Sequence, residues 1–176
     1  MVEEENAILK EKNISLILND YNDIFSDFDP RSFSSRALSD DFLAECKKAS
    51  RDKEGSIELR FLVPKKKREQ KSEYEIKKRL REHFEKHYKE KEGEIKAIRN
   101  QGIRWFLLGT LLIFSETIIF ELDGFFFNLL KVVLEPAGWF SFWEGLGKIL
   151  IVTDEKSPER KFYKKMAEAN IEFLSY

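Results

Sequence analysis

The chain has 176 residues, 31 Lys and Arg against 32 Asp and Glu, a net charge of -1 and a mean hydropathy of -0.47. That length holds one ordinary domain, or a small domain with a membrane element. The charge balance, with no separate basic module, excludes nucleic acid as an expected partner, and a lone cysteine, Cys46, excludes an internal disulfide.

The first residues, "MVEEENAILKEK", are acidic and polar. They read as neither a secretory signal nor a transit peptide, so the N-terminus is expected in the cytosol. "ISLIL" follows as a weak strand or buried-edge candidate. The stretch "FSDFDPRSFSSRALSDDF", residues 25 to 42, mixes acids, serines and arginines with phenylalanines. Asp20, Asp23, Asp27 and Asp29 crowd together, which raises the question of a hard cation. The spacing lacks the glycine and the terminal bidentate Glu of an EF-hand loop, so no metal is expected. A structural reading accounts for more. Asp29-Pro30 is a turn signal, Arg31 and Arg36 are placed to bridge carboxylates or carbonyls, and the phenylalanines are expected to seat the loop on the core. Ser39 is the expected N-cap of a helix over "DDFLAECKKA", with Asp40 and Asp41 in its first turn and Lys47 and Lys48 in its last. Cys46 lies in that helix without a setting that activates a thiol.

"SIELRFLVP" alternates Ile57, Leu59, Phe61 and Val63 with Glu58, Arg60 and Leu62, and this period of two predicts a strand with one buried face. From Ser72 a charged helix is predicted, with Ile76, Leu80, Phe84 and Tyr88 forming a narrow apolar stripe. Gly93 and Gly102 are read as bends near its end. His83 and His87 stand four apart on it without HExxH or a third ligand, and read as surface residues.

"IRWFLLGTLLIFSETIIFEL", residues 103 to 122, is about the twenty residues that cross a hydrocarbon core. Glu116 is its only central charge, and the cost of roughly 3 kcal/mol for one acid is outweighed by ten or more apolar residues. After "ELDG", Phe125 to Trp143 is predicted as a second crossing, with a helix lying in the membrane interface as the variant its charges suggest. Lys131 and Glu135, spaced i,i+4, are expected to pair, and Pro136 to kink it. Gly138, Gly145 and Gly147 offer close-packing surfaces. Lys91, Lys96, Arg99 and Arg104 precede the first crossing; Lys148, Lys156, Arg160, Lys161, Lys164 and Lys165 follow the second. The turn between them has no base, so both termini are predicted to be cytoplasmic. Trp105, Trp139 and Trp143 then fall near the cytosolic interface as anchors. "SPERKFYKKMAEAN" reads as a short helix with Pro158 at its first position, and "IEFLS" as a last, weaker strand.

The quoted run "SDFDPR" with "RALSDDF", the Trp-rich "GWFSFWEGL" and the basic "ERKFYKKMAEANIEF" resemble a family of small prokaryotic two-pass membrane proteins of unknown function. The resemblance covers most of the chain. It implies two membrane passes and a cytosolic domain built from both ends, and it implies no catalytic residues.

The expected fold is therefore α+β: a small cytosolic α/β cap joined by a long charged helix to a transmembrane helical hairpin. Its segments are residues 1–71, the charged helix 72–102, the hairpin 103–152 and the C-terminal helix and strand 153–176, the last packing on the first. No catalytic residue and no cofactor is expected. Glu116, Lys131 and Glu135 need protein or water within a bilayer. The expected role is a self-associating scaffold in the cell membrane, with the lipid bilayer, further copies of itself or another membrane protein as partners. A subunit of a small oligomeric channel or transporter is the alternative, and a metal-dependent membrane enzyme using Asp27 and Asp29 a weaker one.

Overall fold

The computed structural model describes residues 13–53, 55 and 57–176; the polar start of the sequence lies outside them. In chain order they form β1 (Asn13–Ile17), a 3-10 turn (Tyr21–Ile24), α1 (Asp40–Ser50), β2 (Glu58–Val63) and α2 (Gln70–Ile119). α3 (Phe125–Gly147), a π-helical run (Lys148–Val152), α4 (Thr153–Glu168) and β3 (Asn170–Ser175) complete it. The architecture is mixed, mostly helical, with one three-stranded sheet.

All three expected strands form, in the order β1-β2-β3, and every pairing is parallel. Parallel neighbours need a long crossover between them. The β1–β2 connection carries α1. The β2–β3 connection carries the remaining helices, so the helical stretch lies between two adjacent strands in sequence. In register, Ile14, Leu59 and Ile171 stand side by side, as do Leu16, Phe61 and Phe173. These are the inward positions of the period-two pattern: Leu59, Phe61 and Val63 on the central strand are fully buried.

The chain divides into two compact units. One comprises the chain up to Lys89 together with Lys161–Tyr176, and the other is Glu90–Arg160. In the first, Phe42 and Cys46 from α1, Ile76, Leu80 and Phe84 from α2, and Phe162 and Met166 from α4 join the inner face of the sheet in one core. The helical stripe read at i, i+4 and i+8 is the buried one, while Tyr88 at its end is only half-buried. Each such side chain, fully buried, contributes about 1.5–3 kcal/mol.

Among the described residues one helix, Gln70–Ile119, is long and apolar enough to cross a membrane by length and composition, and only 11 % of its most apolar window is buried. The second crossing expected over Phe125–Trp143 is not shown. The helix is there, but Asn128, Lys131, Glu135 and Pro136 dilute its apolar character. Three local readings change as well. α2 runs unbroken past Gly93 and Gly102, which are not bends. The last helix begins at Thr153, directly after the π-helical run, so Pro158 lies inside it. Phe28, expected on the core, is 97 % exposed at a loop tip.

Candidate functional site

In the Glu90–Arg160 unit, α3 returns antiparallel along the second part of α2. The contact is made by glycine. A Cβ placed on Gly102 would stand 2.9 Å from the Gly145 carbonyl oxygen, and one on Gly138 would stand 2.9 Å from the Ile113 side chain. Gly102 and Gly109 are seven residues apart on α2, and Gly138 and Gly145 seven apart on α3, so the four form one seam of two helical turns. Ser141, between the two α3 glycines, is buried with them. Close backbone approach through small residues is the packing mode of helices that lack a hydrophobic driving force between them. Gly147, counted with the seam from sequence, faces open space; Gly102 and Gly109, which belong to it, carried the readable signal of the seven-residue interval.

The outside of the pair has the opposite character. Leu107, Leu111, Phe114 and Ile118 on α2, and Phe125, Phe126, Val132, Phe140 and Trp143 on α3, are all exposed. Large apolar side chains exposed together along a helical pair mark an interaction or membrane surface. The three indoles gather at one level: Trp139 stacks on Trp143 with centroids 6.4 Å apart, Trp105 meets Phe140 edge-on, and Phe142 bridges Trp139 and Trp143.

Lys131 does not pair with Glu135. Its ammonium donates to the carbonyl oxygens of Phe120 at 2.9 Å and Leu122 at 3.1 Å, and lies 5.5 Å over the Phe120 ring. Those carbonyls lie in the turn just past the end of α2, where the helix dipole is negative, so they outcompete a neighbouring carboxylate. Glu135 is left exposed, and Glu116 half-buried. Neither has an ion pair or a side-chain hydrogen bond among the described residues.

The acid-rich loop of the other unit is internally satisfied. Asp29 accepts from the Arg31 guanidinium at 2.9 and 2.8 Å, from the Arg31 N–H and from the Ala37 N–H. The Arg31 hydrogen bond chiefly holds its carboxyl well below the usual carboxylate range. Arg36 donates to the Ser26 carbonyl and to Asn22, beside the Phe25 ring. Ser39 precedes α1 as expected but makes no side-chain cap bond; its carbonyl accepts from Leu43 instead. Asp27 is exposed. No group of three or more metal-ligating side chains occurs among the described residues.

A second polar cluster, at the start of α2, was not legible from residue spacing. Glu73, buried, accepts from Tyr21 Oη at 2.9 Å and bidentately from Arg68. The Arg68 hydrogen bonds outweigh burial and lower its pKa. Tyr21 Oη in turn accepts from the Glu69 N–H. His83 also departs from its surface reading: it is half-buried, its Nε2 has no hydrogen-bond partner, and its ring lies 4.3 Å from that of His87. Burial first, then His87, Arg79 and Lys86, push its pKa down to about 4. The Cys46 thiol is fully buried, and burial pushes it up to about 12.

The chain matches no protein-family model, no curated protein and no solved structure.

Proposed function

We propose that the protein is a two-pass membrane scaffold that self-associates through its helical pair, with both termini and the α/β unit on the cytoplasmic side. The observation that carries this reading is the inverted character of the Glu90–Arg160 unit, with glycine inside and large apolar side chains outside. A water-facing helical pair places its large residues the other way round. Lipid is a solvent in which this surface is stable, and a second passage through α3 is supported by the large apolar side chains it also exposes, Phe125, Phe126, Val132, Phe140 and Trp143. The clustered indoles support an interfacial position at the level flanked by basic residues.

Self-association is supported by Glu135. An exposed carboxylate on a lipid-facing helix calls for a protein or aqueous partner, and Lys131, committed to the end of α2, does not supply one. The test is the detergent-corrected mass of the solubilised full chain by light scattering. The expected result is a defined oligomer that dissociates in Glu116→Ala/Glu135→Ala. A strict monomer, with the double variant indistinguishable from it, overturns self-association. Release of the chain from washed membranes without detergent overturns membrane residence. Ion flux through liposomes containing the oligomer would favour the channel reading, with the same two acids lining its path.

A further inference from the structure

The π-helical run Lys148–Val152 sits between α3 and α4 without interrupting the helical course. A π-turn widens a helix locally and is frequent at functional sites. Here the Lys148 carbonyl is satisfied by Thr153 Oγ1, which donates to it at 3.0 Å. Beside the widened turn lies a cavity of about 270 Å³. Ile95 from α2, with Ile149 and Leu150, provides its apolar wall; Thr153, Asp154, Ser157 and Arg160 provide its polar one.

The charges around it are unevenly committed. Glu159 pairs with Lys91 at 3.2 Å, and Glu94 pairs with Lys91 at 3.4 Å and with Lys156 at 4.0 Å. Arg160, half-buried on the cavity wall, has no ion pair and no hydrogen bond among the described residues. The Ser157 hydroxyl is likewise uncommitted. Asp154, on the same polar wall, is the acid of the lining that is unpaired among the described residues; it is exposed, where water and salt weaken its repulsion. Leu150 and Ile151, at the same turn, are 64 % and 61 % exposed and continue the apolar surface of the helical pair.

We propose that this cavity binds the phosphate headgroup of an anionic phospholipid. The Arg160 guanidinium is the planar donor fork suited to phosphate oxygens, and Ser157 adds a hydroxyl donor. Ile149 and Leu150 meet the glycerol and the start of the acyl chains. The volume lies below the roughly 300–1,000 Å³ of pockets that engulf a whole drug-sized ligand, which suits a headgroup whose chains remain in the bilayer. The assignment rests on the membrane reading above: the basic flanks place this end of the pair at the cytoplasmic leaflet, where anionic lipids concentrate.

The test is lipid retention by the full-length protein in detergent micelles doped with phosphatidylglycerol or phosphatidylcholine of identical chains, read by native mass spectrometry. The wild type should retain the anionic lipid about tenfold better, the scale of one charge-assisted hydrogen bond. Arg160→Gln should abolish the preference and Arg160→Lys should keep part of it. Should Arg160→Gln not accumulate as folded protein, Ser157→Ala takes its place, with an expected severalfold loss. Equal retention of the two lipids by the wild type, or an unchanged preference in the variants, overturns the site. Millimolar inorganic phosphate that displaces the anionic lipid and itself raises the melting temperature equally would identify the ligand as a free anion and overturn the lipid assignment. Recovery of the protein without detergent instead removes the membrane reading, an outcome distinct from a lipid-indifferent membrane protein.

Discussion

Gly109 faces Gly138 so closely that a Cβ on Gly109 would stand 2.8 Å from the Gly138 carbonyl oxygen, and the equivalent atom on Gly145 would stand 2.7 Å from that of Gly102. Backbone, not a flexible side chain, is what each added methyl meets, so the helices must part to admit it.

Gly109→Ala and Gly145→Ala are therefore expected to destabilise the helical pair by about 1–3 kcal/mol, the usual scale of overpacking. Gly93 and Gly147 also lie in helices but face open space. Alanine there should be neutral or add up to about 1 kcal/mol through helix propensity. Thermal unfolding of the solubilised protein, followed by tryptophan fluorescence, checks this directly because all three indoles lie on the pair. Equal melting temperatures for Gly109→Ala and Gly93→Ala would rule out the glycine seam.

Lys131 closes the turn between the two helices by holding the carbonyls of Phe120 and Leu122. Lys131→Met removes a charged donor from two acceptors and should cost about 1–3 kcal/mol. Because Glu135 is not its partner, Lys131→Met and Glu135→Gln should be additive to within about 0.5 kcal/mol in a double-mutant cycle on the monomeric form. A coupling well above that would restore the i,i+4 ion pair.

That misreading shows where sequence reasoning stops. The spacing of Lys131 and Glu135 puts them on one helical face, but nothing local reveals that the end of another helix offers better acceptors. The same limit applies to the sheet. Alternation in "IELRFLV" identifies the strand and its inward residues, because period two reports burial. It is silent on direction, since parallel and antiparallel ladders bury the same side chains. The stripe Ile76, Leu80, Phe84 was legible for the same reason that the strand was. Phe28 was not, because composition suggests burial and only the path of the loop leaves it at the tip. The glycine seam was half-legible: the seven-residue intervals stand in the sequence, but Gly102 alone reads as a flexible point until Gly145 is placed opposite.

Cys46 gives an internal clock for the α/β unit. With its thiol buried and its pKa near 12, alkylation at pH 8 should run about a thousandfold or more below that of an exposed cysteine, whose pKa near 8.5 leaves far more thiolate. The rate should rise to the exposed value when denaturant unfolds this unit. Fast labelling of the native protein by iodoacetamide would show that α1 opens readily from the sheet.

His83 makes the same unit acid-sensitive. Its folded pKa, about 4, lies below the 6.5 of an unperturbed imidazole, so the unfolded chain takes up a proton before the folded one does. Above pH 6.5 both states are neutral and the full stability is present. Between about 6.5 and 4 only the unfolded state is protonated, and stability falls with pH. Below about 4 both are charged and this contribution stops changing. Paired carboxylates act in the same direction but lower: Glu73 and Asp29, with depressed pKa values, lose their contributions only as the pH passes through the carboxylate range. His83→Leu separates the two. The melting temperatures of wild type and variant, measured from pH 8 to pH 4, should differ by an amount that changes between pH 6.5 and 4 and is flat above. If the difference is flat throughout, the His83 ring is hydrated in the folded protein and its Nε2 meets water.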